Sequence, residues 1–133
     1  MKNLLRTIFH LVITTLVYLI FNEGAMFTIS QGTLLSGTIT VVAFFVYGPV
    51  CYFIARKYDF GRWKYVLYIP FINEFLYIVG IYTLPIRTYL PMEDDNYGIG
   101  MLLLPLTLIM WIIFLVATLM GIQFRKKTIS SSL

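Results

Sequence analysis

Uncharged stretches divide this chain more sharply than any motif does. No Asp, Glu, Lys or Arg falls in 7–22, in 24–55 or in 96–124, and in 65–86 the single charged side chain is Glu74. A helix needs about 20 mostly apolar residues to cross about 30 Å of hydrocarbon at 1.5 Å per residue. The pattern therefore predicts an all-α, polytopic membrane protein with four transmembrane helices, at roughly 4–21, 35–55, 65–84 and 99–122, packed as a small bundle. Strands of a membrane barrel would alternate apolar and polar residues, and runs such as 101–104 and 111–116 do not. The spacing leaves one domain over 1–133, ending in a short basic tail at 123–133.

Lysine and arginine near span ends set orientation. Lys2 and Arg6 precede the first span, Arg56, Lys57, Arg62 and Lys64 occupy the second turn, and Arg125, Lys126 and Lys127 follow the fourth span. With four spans these nine share one side, and of the ten basic residues only Arg87 falls opposite, together with Glu23, Glu93, Asp94 and Asp95. Both termini are expected in the cytoplasm. Tyr58, Trp63 and Tyr65 on that side, and Tyr82, Tyr89 and Tyr97 on the other, supply interfacial aromatic belts. The residues after the first span, Asn22-Glu23-Gly24-Ala25-Met26, offer no small-residue pair for signal cleavage, so that span is expected to stay.

Composition narrows the class further. The chain is 59% hydrophobic and 12% charged, with mean hydropathy +0.85, against about 45–50% and about 25% for an ordinary soluble domain. A 133-residue chain has too much surface for its volume to hide so much apolar side chain from water. The same composition excludes disorder. The net charge of +4 comes from residues that flank spans, where insertion and anionic headgroups favour them. Along the sequence they form no clustered patch for phosphate recognition, so membrane lipid is an expected partner and nucleic acid is not. Cys51 is the one cysteine, which excludes an intrachain disulfide and leaves a thiol that behaves as a small apolar group. Small size, the absence of a glycosylation sequon and the steep basic asymmetry point to a bacterial plasma membrane.

Glu74 is the most informative position. It lies ten residues beyond Lys64, about 15 Å along a straight helix and so near the bilayer midplane. An ionised carboxylate there costs at least about 2.5 kcal/mol, so it is expected to face the bundle interior, stay protonated or have a partner. The same arithmetic puts Thr14, Thr15 and Tyr47 at that depth, beside Asn73, as its intramembrane polar site. His10 comes out only about 6 Å in, at the interface. Pro49, Pro70 and Pro105 each remove a backbone donor from a different span, and a kink beside a buried acid forms a cavity or hinge.

Thr33, Ser36, Gly37 and Thr40 place small residues four apart at the start of the second span, which lets helices approach closely. The acidic run Glu93-Asp94-Asp95-Asn96 reads as a solvated loop. One histidine and scattered carboxylates supply neither the three or four ligands of a metal site nor a catalytic constellation. No enzyme, cofactor or metal is expected. Two functions fit what is left. The first is helix–helix binding to a membrane-protein partner, as an accessory or regulatory subunit or as an immunity factor against a membrane-active toxin. The second is a homo-oligomeric transporter or channel protomer for ions or small solutes, with Glu74 as its proton or cation site.

Overall fold

The computed structural model describes residues 1–85 and 97–133, with side chains at all of these except 30, 31 and 97–103. Segment 86–96, which carries Arg87, Glu93, Asp94, Asp95 and most of the expected second outer loop, lies outside the described residues. The described chain is helical: α1 (Lys2–Gln31), α2 (Leu34–Lys57), a 3-10 helix (Gly61–Tyr68), α3 (Ile72–Thr83) and α4 (Tyr97–Ser131). Three of these are long and apolar enough to cross a membrane, or four if the bent pair of the 3-10 helix and α3 makes one span. Large apolar side chains cover the outside, among them Leu5, Phe9, Val12, Leu16, Phe45, Phe53, Phe75, Ile112 and Val116. Water would not tolerate such a surface. Lipid does.

α1 outruns its expected end at Phe21 by ten residues and stops at Gly32, whose left-handed conformation (φ 61°) lets its N–H reach Thr28 O at 2.8 Å. Only glycine takes that backbone without strain. Thr33 then caps α2, its hydroxyl accepting the Ser36 N–H at 3.3 Å. Two residues thus reverse the chain, and α1 and α2 pack as an antiparallel pair. Pro49 and Pro105 lie inside continuous helices.

Pro70 is the one that breaks. The expected straight helix over 65–84 is replaced by an 80° bend between the 3-10 helix and α3. The ring of a proline excludes helical backbone from the residue before it, and Ile69 is accordingly extended (φ −63°, ψ 126°). Phe71 follows in left-handed conformation (φ 54°), unusual for a residue with a side chain, and starts α3. Its twelve residues reach only about 18 Å, roughly half a bilayer.

The bundle is built around α2, which packs on α1 and on α4. Its buried stripe is Ser36, Ala43, Tyr47, Cys51 and Ala55, and α4 answers with Met110, Phe114, Thr118 and Ile122, also four apart. The tightest approach is at Gly121, where a Cβ would lie 2.6 Å from Tyr52 O and 2.7 Å from Ala55 Cβ. Basic residues gather at this end of the molecule. The Arg6 guanidinium sits 5.9 Å from the Tyr58 ring centroid, and Arg125 Nη2 donates to Asp59 Oδ1 at 2.8 Å. The Gly61 N–H (3.1 Å) and the Arg125 guanidinium together hold the Asp59 carboxyl below its ordinary pKa.

Two outcomes follow. Gly121→Val should destabilise the protein by about 1–3 kcal/mol through overpacking against backbone, whereas Gly80→Ala, where the added methyl meets nothing within 4 Å, should cost nothing; unfolding in mixed detergent micelles measures both. Because the Asp59 pKa is depressed by folding, the stability it contributes is present above the ordinary carboxylate range and is lost as pH falls through its lowered pKa. Asp59→Asn should remove that part of the acid sensitivity of the thermal unfolding midpoint.

Candidate functional site: a polar string inside an apolar bundle

One face of α1 turns polar groups inward. Thr7, His10, Thr14, Tyr18 and Asn22 recur at three- and four-residue spacing and are all buried, as is Glu23 beside them. With no water to bond to, such groups must pair within the protein. Thr7 and Thr14 donate back to Asn3 O (2.9 Å) and His10 O (2.8 Å). Thr14 also reaches Leu11 O (3.2 Å), and further bonds cross between helices.

His10 is 0% exposed. Its ring packs 5.5 Å from Phe114 and 5.3 Å from Phe60. Nε2 lies 3.2 Å from Thr118 Oγ1 on α4, and Nδ1 has no partner. Asn73 comes next along the string. Its Oδ1 accepts from Thr15 (3.2 Å) and faces Thr14 Oγ1 (3.4 Å), while its Nδ2 donates to Tyr47 OH at 2.5 Å. One amide therefore ties α1, α2 and α3.

Glu74 is turned about 100° from Asn73 around α3 and meets different neighbours. The Tyr18 hydroxyl donates to its Oε2 and also lies 3.3 Å from Thr107 Oγ1 on α4. Glu74 falls in the first turn of α3, where unpaired N–H groups and the helix dipole favour negative charge. Beside it is a cavity of about 10 Å³ lined by Tyr18, Tyr47, Phe71, Asn73, Glu74, Thr107, Trp111 and Phe114, room for about one water. Trp111 Nε1 is buried and unpartnered, leaving an indole donor at the edge of this space. Toward the far end of α1, the Tyr77 hydroxyl donates to Glu23 Oε1.

The expected site is thus redistributed. Thr14, Thr15 and Tyr47 are close to α3 as depth implied, but they serve Asn73 rather than Glu74. Glu23, expected in an outer loop, is 5% exposed within α1. Tyr18, Thr107 and Trp111 were missed, although the spacing His10–Thr14–Tyr18 marks one helical face and would have found the first of them. Of the small residues, Gly37 faces Thr28 and Thr40 lies against Gly24, where a Cβ would come within 2.7 Å of Thr40 Oγ1; Ser36 is buried and Thr33 acts as the cap. Cys51 is buried and free. Among the described residues no three His, Cys, Asp or Glu side chains gather to hold a metal. No family model, curated protein or solved structure matches this chain.

Removing the Asn73 amide leaves the Tyr47 and Thr15 hydroxyls without their partner. Asn73→Ala should therefore lower stability by about 1–3 kcal/mol, and Thr15→Val by about 0.6 kcal/mol, the average worth of one interhelical bond in a membrane. Equilibrium unfolding of the two variants in mixed micelles separates them.

Proposed function

We propose that this is a four-span protein of a bacterial plasma membrane with both termini cytoplasmic, and that its working group is Glu74, a carboxyl that takes up and releases a proton within the membrane. The apolar exterior supports the membrane part of this reading, and the gathering of basic residues at one end supports the orientation. The proton site is carried by one observation: Glu74 stands in the first turn of a helix that begins at a break, next to a water-sized cavity. Irregular backbone at membrane depth is tolerated where it is buried in protein or lines a cavity, and discontinuous helices build the ion and substrate sites of many transporters.

The geometry suits a proton. Ionised, Glu74 accepts from Tyr18. Protonated, it becomes a donor itself, and the Tyr18 hydroxyl is free to turn to Thr107, 3.3 Å away. Proton uptake thus reverses the α1–α3 hydrogen bond and directs the Tyr18 O–H to α4, beside the bend at Ile69, Pro70 and Phe71. A cavity of about 10 Å³ admits water and no organic solute, so a larger cargo would pass between copies of the chain.

A second reading, the accessory subunit or immunity factor, is favoured by the mutual satisfaction of Asn73, Thr15 and Tyr47, which describes a packed scaffold rather than a pathway. There Glu74 serves only to fix helix packing. Proteoliposomes with an internal pH dye and an imposed potential separate the two. Wild-type protein should acidify the lumen faster than empty vesicles, and Glu74→Gln should slow this at least about a hundredfold, the lower end of an acid–base group's usual contribution, without altering insertion. Wild-type flux no faster than empty vesicles, or flux unchanged in Glu74→Gln, leaves the partner-binding reading.

A further inference from the structure

The fold assembles a cationic pocket that the sequence disperses. Arg62 and Lys64 come from the 3-10 helix and Arg125 and Lys126 from α4, yet all four line one cavity of about 300 Å³. Asp59 is the one carboxylate in that lining and is already engaged by Arg125 Nη2 at 2.8 Å. Four cations thus face one neutralised acid. Arg125 also keeps a buried Nε–H without a partner, a donor held in place by the Asp59 contact. Tyr65 and Ile122 supply apolar walls, and the Lys64 ammonium lies 5.2 Å from the Tyr65 ring centroid.

We propose that this pocket binds a phosphate ester, presented by the headgroup of an anionic phospholipid. Two guanidinium and two ammonium groups converging on one space match the charge and acceptor geometry of phosphate. The level of the pocket favours a lipid over a solute. It lies where α2 ends at Lys57 and α4 passes from apolar Ile122 into Arg125 and Lys126, and basic pockets between helices at this level recognise lipid headgroups. This inference needs the membrane setting but not the proton chemistry of Glu74, so either can fail alone.

Native mass spectrometry of the full chain, released from phosphatidylcholine micelles doped with phosphatidylglycerol, tests it, with inorganic phosphate as a separate probe. The expected result is one retained phosphatidylglycerol per chain, weakened about tenfold or more in Arg62→Gln/Lys126→Gln, which removes two charged donors that line the pocket. Both side chains are exposed and neither belongs to the Asp59–Arg125 tie. Lys2→Gln/Lys57→Gln removes equal charge from the same end outside this pocket and should change binding less than twofold. Inorganic phosphate that binds with the same loss in the first pair, while the lipid does not, would assign the phosphate chemistry to a free anion and overturn the lipid. Equal losses in both pairs, or uptake that never saturates, would overturn the site altogether.

Discussion

Hydrocarbon offers polar groups nothing to bond with, and α1 carries Thr7, His10, Thr14, Tyr18 and Asn22 along one face. Such groups must be matched within the protein, by their own helix backbone as at Thr7 and Thr14 or by a side chain from a particular neighbour. Thr118 answers His10, Asn73 answers Thr15, and Glu74 answers Tyr18. Because the hydrophobic effect does not distinguish one apolar face from another inside lipid, these pairs and close steric fits decide which helix faces meet. The register of α3 on α1 follows from Asn73 and Glu74. That of α4 follows from Thr118, Thr107 and the notch at Gly121.

The broken third segment sets the surroundings of Glu74. A continuous helix would satisfy its own N–H groups and present Glu74 as a bare carboxyl in an apolar wall. The bend at Pro70 instead brings a helix start, with its unpaired donors, to the level of Tyr18, about 18 Å along α1 from Arg6. The acid then has a hydroxyl donor, a favourable dipole and a small cavity at once.

Spans were legible in the sequence wherever long uncharged runs carried the signal, as in α2, whose expected limits 35–55 fall within Leu34–Lys57. The end of α1 was not legible, because Glu23 reads as a span boundary unless one knows that Tyr77 lies opposite to satisfy it. Depth counting drew Thr14, Thr15 and Tyr47 toward Glu74, whereas their hydroxyls meet the adjacent Asn73. Depth is one coordinate, and the rotation of a helix about its axis is another that counting cannot reach. The outcome at Pro70 was similarly hidden. Three prolines look alike in sequence, yet Pro49 and Pro105 are absorbed into continuous helices while Pro70 is followed by a left-handed Phe71. The cationic pocket escaped for a simpler reason, since its halves are some sixty residues apart.

The turn at Gly32 and Thr33 bears on the order of assembly. A reversal this short closes with little loss of chain entropy, so α1 and α2 can zip together as an autonomous hairpin while the rest of the polypeptide is still emerging. Contacts near in sequence form fastest, which makes that hairpin the template on which later helices are sorted. α4, which follows both in the chain, packs on an α2 that α1 already supports.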